Sequence, residues 1–242
     1  MKTIIIIGAS SGIGRLIAED FAGRGWRVGV TARREDALRE IAARFPGMVE
    51  YSAYDVAADD AGERLSELIE RLGGMDVLLF AAGCGWYNPS LDIADEQRTI
   101  ATNVVGFTRT IDTAYHYFAD RGAGHIAAIT SIGGVKGLGI SPAYSATKRY
   151  QWTYIQALDQ HAHINGVRIT FTDIRPGFID TALLDRNPKL PPLTMRPVYA
   201  VKRIVRAIIK GRRVAVVDWR WRIVAAMWNL IPGSLWRRLK IK

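Results

Sequence analysis

The sequence predicts an α/β fold, a doubly wound (Rossmann-type) parallel sheet of about seven strands with helices on both faces. Two observations predict this fold. Apolar runs of strand length recur along the chain, and stretches long enough for a helix separate them. The runs are rich in Ile and Val without polar alternation, as expected of strands that are covered on both faces.

The predicted elements alternate along the chain. The strand runs cover residues 3–7, 26–31, 48–53, 76–81, 124–130, 167–173 and 214–217. The helical stretches cover residues 13–23, 35–44, 59–72, 96–120, 144–163 and 198–210. Because helices separate the strands, we expect the strands to be parallel. The proline-rich piece 187–197 interrupts the pattern and is predicted to be a loop.

Length and composition favour one domain. The chain has 242 residues, of which 49% are hydrophobic, and this is enough for one substantial core. We predict a single domain over residues 1–218, with a long loop at about 178–197. Residues 219–242 are predicted to form a basic, Trp-rich tail.

Charge and cysteine content argue against several classes of protein. The formal net charge is +10, but 12 of the 33 Lys and Arg residues lie in 200–242, with Asp218 as the single acid there. The rest of the chain is nearly neutral, which argues against a nucleic-acid groove across the fold. The one cysteine, Cys84, cannot form an intramolecular disulfide, and the N-terminus lacks a signal-peptide pattern, so a cytoplasmic location is expected.

Metal binding is not predicted either, because no Cys/His spacing is typical of a metal site. The histidines are expected at the surface or at helix ends: His116, His125, His161 and His163.

The first strand is followed by the loop GASSGIG, residues 8–14, which opens the first helix. Gly8 permits a tight turn, Gly12 lets the backbone approach a pyrophosphate, and Gly14 lets the helix pack closely. The helix N-terminus adds N–H groups and the positive end of its dipole. The sequence therefore predicts a dinucleotide phosphate site. The other predicted contacts in this loop are Ser10, Ser11 and Ile13.

The end of the second strand indicates which dinucleotide binds. An acidic residue there would bind a ribose 2′-hydroxyl, whereas an arginine would pair with a 2′-phosphate. Arg33 and Arg34 follow this strand, so NADP(H) is favoured, with Arg33 as the better candidate because it comes first. A solvated pair of arginines at a helix start is the alternative. Asp55 and Val56 close the third strand and are candidates for the adenine contact.

Tyr144 and Lys148 stand four residues apart at the start of a predicted helix, so both project from one face. An ammonium near a phenol favours the phenolate, and we expect it to lower the pKa of Tyr144 toward working pH. This would make Tyr144 a general acid and base. Ser131 ends the fifth strand, and Asn103 lies in the preceding helix.

With these residues in place, the chain resembles the short-chain dehydrogenase/reductase family from about residue 2 to residue 217. The further matching pieces are Ala82 and Gly83 after the fourth strand, and Pro176 and Gly177 followed by Thr181.

The resemblance implies catalytic and cofactor roles for these residues. Tyr144 would donate the proton, Ser131 would position the carbonyl, Lys148 would bind the nicotinamide ribose, and Asn103 would hold a relay water. Thr181 would contact the carboxamide. The resemblance also implies a homodimer or homotetramer.

Three departures from the family pattern concern the cofactor site. Ile7 precedes the Gly-rich loop at a position where Thr is common. Phe80 and Ala81 stand where polar residues are usual. Ser11 occupies a loop position where many NADP-preferring relatives carry a basic residue, which leaves NAD(H) possible as a second cofactor.

Substrate identity is less defined. The predicted pocket walls, residues 84–87, 133–140 and 178–195, are mostly apolar or aromatic, so a bulky, apolar carbonyl compound or the alcohol is the expected substrate. Lys136 and Arg186 could meet an anionic group or be solvated loop charges. Two other functions remain as alternatives: a non-catalytic NADP-sensing module, and an epimerase or dehydratase.

The tail contains four of the seven tryptophans, interleaved with Lys and Arg around the apolar stretch 223–231. Nine apolar residues are too few to span a bilayer. One hypothesis is a helix that contacts a membrane peripherally, with rings at headgroup level and cations on anionic lipid. The other is that the tail packs on a partner subunit or covers the pocket.

Overall fold

A computed structural model describes residues 1–85, 87–184 and 191–239. In this part of the chain, seven parallel strands form one sheet with the order β3-β2-β1-β4-β5-β6-β7. The strands are β1 (Thr3–Ile7), β2 (Arg27–Ala32), β3 (Val49–Ala53), β4 (Val77–Phe80), β5 (Ala123–Ile129), β6 (Arg168–Arg175) and β7 (Val214–Val216). The predicted doubly wound sheet is thereby confirmed, with strand ends shifted by one or two residues.

Helices cover both faces of the sheet. They are α1 (Gly12–Gly23), α2 (Glu35–Arg44), α3 (Ala61–Arg71), α4 (Ile93–Ile100), α5 (Phe107–Arg121), α6 (Pro142–Ile164), α7 (Pro197–Ile209), α8 (Trp219–Leu230) and α9 (Gly233–Trp236). Ile4 and Ile6 of β1 pack with α1, α2 and α7, whereas Ile5 and Ile7 pack with α3, α5 and α6. Successive side chains of a strand point to opposite faces, so β1 contributes to both cores.

The predicted single helix 96–120 is wrong. The segment begins earlier, as α4, and a π-helical turn at Ala101–Gly106 separates it from α5. Periodicity does not reveal this turn, because one inserted residue leaves the apolar spacing helical on either side. Such turns are often found at functional sites. Here the turn carries Asn103.

The tail folds back onto its own chain. The Trp221 ring is buried against Gly177 and packs edge-on to Phe178 at a centroid distance of 5.4 Å. Trp236 Nε1 donates to the Gly137 carbonyl at 2.8 Å. The tail therefore borders two loops that were predicted to line the substrate pocket. Within the described residues, no helix is long and apolar enough to cross a membrane.

Candidate active site

The Gly-rich loop has the backbone that its glycines were predicted to permit. Gly8 has φ +89°, and a Cβ there would lie 2.5 Å from the Ala82 backbone. A Cβ on Gly14 would lie 2.1 Å from the Gly8 carbonyl oxygen, so the first turn of α1 packs directly on the loop. Ser11 is the N-cap residue of α1, but its side chain makes no capping hydrogen bond. The first N–H groups of the helix are therefore left to another acceptor.

Arg34, rather than Arg33, contacts the Gly-rich loop. Its Nη2 donates to Ser10 Oγ at 3.1 Å, across the gap between the ends of β1 and β2. Arg33 is mostly exposed and lies 3.8 Å from the Asp55 carboxylate. Asp55 in turn accepts from the backbone N–H of Ala57 at 3.0 Å. The guanidinium of Arg34 is thus held by the Gly-rich loop, and that of Arg33 lies near Asp55.

Tyr144 lies in the first turn of α6, and Ser131 follows β5. Ser131 Oγ accepts from the Gly133 N–H at 3.0 Å, which fixes the hydroxyl at the start of a 3₁₀ turn. Gly85 packs so closely on the Tyr144 ring that a Cβ there would lie 2.1 Å from it. Burial raises the pKa of Tyr144, and hydrogen bonding with Ser131 acts in the opposite direction. The lowering of the Tyr144 pKa that the sequence predicts is therefore not seen. Desolvation of the phenol has a larger effect than its hydrogen bond with Ser131.

Lys148 is buried one turn after Tyr144, with its Nζ 5.7 Å from the centre of the Tyr144 ring. Nζ donates to the Ile129 carbonyl and to Gln151 Oε1, each at 3.1 Å. Burial lowers the pKa of Lys148 to about 8, against the opposing effects of Cys84 and Asp173. The ammonium is therefore mostly protonated at neutral pH.

Asn103 is fully buried and connects three parts of the site. Its side-chain amide accepts from the Cys84 N–H at 3.0 Å and donates to the Cys84 carbonyl at 2.7 Å. The same Nδ2 lies 3.1 Å from Thr147 Oγ1, which donates to the Tyr144 carbonyl. Its backbone carbonyl accepts from Gln151 Nε2 at 2.9 Å. Asn103 therefore holds the loop after β4 against the first turns of α6.

The sequence does not predict three side chains that position this site. Gln151 and Thr147 lie on the inward face of α6, which the spacing of Tyr144 and Lys148 already identified. Glu96 accepts from the Ala143 N–H at 2.9 Å and so caps α6 from α4. A carboxylate at a helix N-terminus is favourable for the dipole. Glu96 lies 47 residues away in sequence, and no local pattern indicates this pairing.

Three other predicted cofactor residues make close contacts with neighbouring elements. Val56 packs on Gly106, where a Cβ would lie 2.6 Å from a Val56 methyl group. A Cβ on Gly83 would lie 3.4 Å from Lys148 Nζ. The Pro176 carbonyl accepts from Ile132 N–H at 3.0 Å.

Thr181 lies next to the Gly-rich loop. A Cβ on Gly12 would lie 3.9 Å from the Thr181 side chain. The Met195 N–H donates to the Phe178 carbonyl, and this hydrogen bond joins the two ends of the predicted wall 178–195. The predicted wall residue Trp86 and the candidate anion contact Arg186 lie outside the described residues.

Burial dominates the environments of Cys84 and His125. Burial raises the pKa of Cys84. His125 was expected at the surface, but it lies half-buried in β5, where it contacts Thr172 and burial lowers its pKa to about 4. Within the described residues, no group of three or more His, Cys, Asp or Glu residues could hold a metal ion.

Known proteins resemble this chain in sequence and in fold. The chain is 32% identical to an uncharacterized oxidoreductase of Myxococcus xanthus, covering 99% of this chain and 98% of the relative. It is also 32% identical to an uncharacterized oxidoreductase of Mycobacterium tuberculosis, covering 98% and 96%. The solved structure of ElxO with NADP bound superposes with a TM-score of 0.80 at 20% identity, covering 92% of this chain and 99% of that chain.

The family profile of short chain dehydrogenases matches residues 2–190, which include the Gly-rich loop, Asn103, Ser131 and the Tyr144–Lys148 pair. This range contains the larger part of the chain. The chain therefore belongs to the short-chain dehydrogenase family of oxidoreductases.

Proposed function

We propose that this protein is an NADP(H)-dependent oxidoreductase that interconverts a ketone or aldehyde and the corresponding alcohol, with Tyr144 as general acid and base. The observation that carries this proposal is the meeting of Ser131, Tyr144 and Lys148 in one cleft beside the Gly-rich loop. The substrate is proposed to be bulky and apolar, because the predicted walls are mostly apolar.

The residues present fit a dinucleotide phosphate. The close approach of Gly8 to Ala82 leaves room for backbone only, and the N-terminus of α1 offers N–H groups that Ser11 does not cap. Arg33 and Arg34 supply cations for a 2′-phosphate. We therefore propose a preference for NADP(H), with NAD(H) as a possible second cofactor. This agrees with the NADP held by the structurally similar ElxO.

When bound, NADPH would supply the hydride for the carbonyl carbon. The Tyr144 hydroxyl, kept protonated by its raised pKa, gives its proton to the carbonyl oxygen as negative charge develops there. Ser131 donates a hydrogen bond to the same oxygen, a contribution on the order of 3 kcal/mol. The Lys148 ammonium stabilises the tyrosinate that remains and binds the nicotinamide ribose. Asn103 holds the loop after β4 next to these side chains.

A spectrophotometric screen tests this function. NADPH oxidation is followed with ketones and aldehydes of graded size, with NADH in parallel, for the parent and for Tyr144→Phe. We expect the variant to lose turnover and still bind NADPH, because only the transferable proton is removed. Near-parent rates in Tyr144→Phe would contradict the mechanism. A parent that binds NADPH and turns over none of the compounds would favour the sensor alternative.

We also propose that the protein is a cytoplasmic homodimer or homotetramer. The support is the family resemblance together with the long helices α5 and α6, which offer extended faces. Sedimentation at micromolar concentration measures the mass, and a strictly monomeric mass would contradict this assembly.

A further inference from the structure

One face of the tail presents large apolar side chains to solvent. Trp219, Ile223, Met227 and Leu230 lie at successive turns of α8 and are 65%, 50%, 61% and 81% exposed. We define the tail surface as these four side chains together with Leu235 and Leu239, which are also exposed. A contiguous apolar row of this kind, unlike scattered single residues, marks an interaction site.

The exposed row belongs to a well-packed helix, because the opposite side of α8 contacts the core. Trp221 is 3% exposed, and Val224 and Trp228 are partly buried against the core. Two polar contacts hold the end of the tail in place: Lys136 Nζ donates to the Ile231 carbonyl at 2.6 Å, and Trp236 Nε1 donates to the Gly137 carbonyl. The tail surface is thus a fixed part of the folded protein.

Positive charge accompanies the row. Arg222, Arg237 and Arg238 are exposed, and the sequence adds Lys240 and Lys242 with no acidic residue after Asp218. This combination of apolar row, tryptophan and cations matches the boundary between lipid headgroups and acyl chains. A second copy of the chain is a poorer match, because a symmetric contact would bring two identical basic tails together.

The length of α8 sets its orientation. Its 12 residues span about 18 Å, well short of the roughly 30 Å hydrocarbon core of a bilayer. A helix this short lies along the membrane plane, with its exposed apolar row inserted.

We propose that the tail surface docks on an anionic lipid bilayer, with α8 parallel to the membrane plane. Gly177, Phe178 and Gly137 contact the other side of the tail, so the docked membrane lies next to the loops that border the cleft. Docking is independent of the proposed reductase activity, since none of the residues of the tail surface belongs to the catalytic group.

Vesicle flotation of the full chain tests the proposal. The probes are vesicles of phosphatidylcholine and phosphatidylglycerol in equal parts, compared with phosphatidylcholine alone. We expect the protein to float with the anionic vesicles at low salt and less at high salt, because ions screen the attraction. Ile223→Ser should weaken binding on the order of tenfold, and Arg237→Glu by at least about fivefold.

Two matched controls lie away from the tail. Ile164→Ser removes an apolar side chain that is 73% exposed at the end of α6, and Arg168→Glu reverses an exposed charge at the start of β6. Both should float as the parent does, and all variants should keep the parent's thermal unfolding and reductase rates.

Three results would overturn the proposal. They are a parent that does not float with anionic vesicles, controls that weaken flotation as much as Ile223→Ser does, and an Ile223→Ser variant whose mass in solution falls. The last result would show that this face joins copies of the chain.

Discussion

The side-chain amide of Gln151 joins the Lys148 ammonium to the backbone of Asn103. Its Oε1 accepts from Lys148 Nζ at 3.1 Å, and its Nε2 donates to the Asn103 carbonyl at 2.9 Å. Gln151 is fully buried, so no solvent replaces either partner. We infer that Gln151 is a positioning residue that holds the Lys148 ammonium in place.

Changing Gln151 should therefore shift the pH profile of turnover. Gln151→Leu removes an acceptor of the ammonium, so the pKa of Lys148 should fall further and activity should be lost at lower pH than in the parent. Gln151→Glu adds a negative charge and should raise that pKa, moving the limb to higher pH. A hydrogen bond to a charged group is worth about 1.5–3 kcal/mol, or roughly one to two pH units. Profiles of kcat against pH measure the shift. If both variants lose activity at the same high pH as the parent, Gln151 has only a packing role.

Lys148 should make the folded state more stable as the pH rises. Burial lowers its pKa from 10.5 to about 8, so between these values the unfolded chain binds a proton that the folded protein has released. The free energy of unfolding of the parent, minus that of Lys148→Met, should rise in this window by on the order of 1.4 kcal/mol per pH unit. Below this window, the difference in the free energy of unfolding should not change with pH. Urea unfolding of both proteins across the window measures the difference, and a level difference would contradict the lowered pKa.

Discrimination between the two cofactors should depend on the arginine that the Gly-rich loop holds. Arg34→Ala should weaken NADPH binding about ten- to a hundredfold and NADH binding much less, because only NADPH carries a 2′-phosphate. Arg33→Ala should act in the same direction. Arg39→Ala is the matched control, since Arg39 is exposed on the same helix and pairs with Glu35. Fluorescence titration gives the affinities, and equal losses for both cofactors would exclude a phosphate contact.

Gly8 should tolerate a methyl group less well than a glycine with similar backbone strain elsewhere. Gly25 has φ +79° with nothing near its Cβ position, so Gly25→Ala should cost about 1–2 kcal/mol of strain. Gly8→Ala adds the 2.5 Å approach to the Ala82 backbone and should cost a further 1–3 kcal/mol or so. Chemical unfolding measures both. Equal costs would show that the loop and Ala82 move apart easily.

The sheet could be predicted from the sequence because each strand is a short apolar run between helical stretches. The Gly-rich loop and the Tyr144–Lys148 pair could also be predicted, since each depends on local spacing. Glu96 and Gln151 act across tertiary contacts that local spacing does not encode. Likewise, Arg33 was favoured over Arg34 from chain order, but the direction of each side chain decides which one meets Ser10.

The tail illustrates the same limit. Composition identifies the tail as Trp-rich and basic, but it does not decide between a packing role and a membrane role. The structure separates the tryptophans by face, with Trp221 buried at 3% exposure and Trp219 open at 65%. The Trp221 ring fits against the chain because Gly177, two residues after the end of β6, has no side chain there.

The π-helical turn at Ala101–Gly106 fixes the angle between α4 and α5. A regular α-helix advances about 100° per residue, so deleting one residue here would rotate α4 about its axis by that amount relative to α5. Glu96 would then point away from the Ala143 N–H, and Asn103 would no longer reach both Cys84 and Gln151. The chain would gain a more regular helix and lose the alignment of its cleft, so shortening this segment by one residue should be more harmful than substituting most of its side chains.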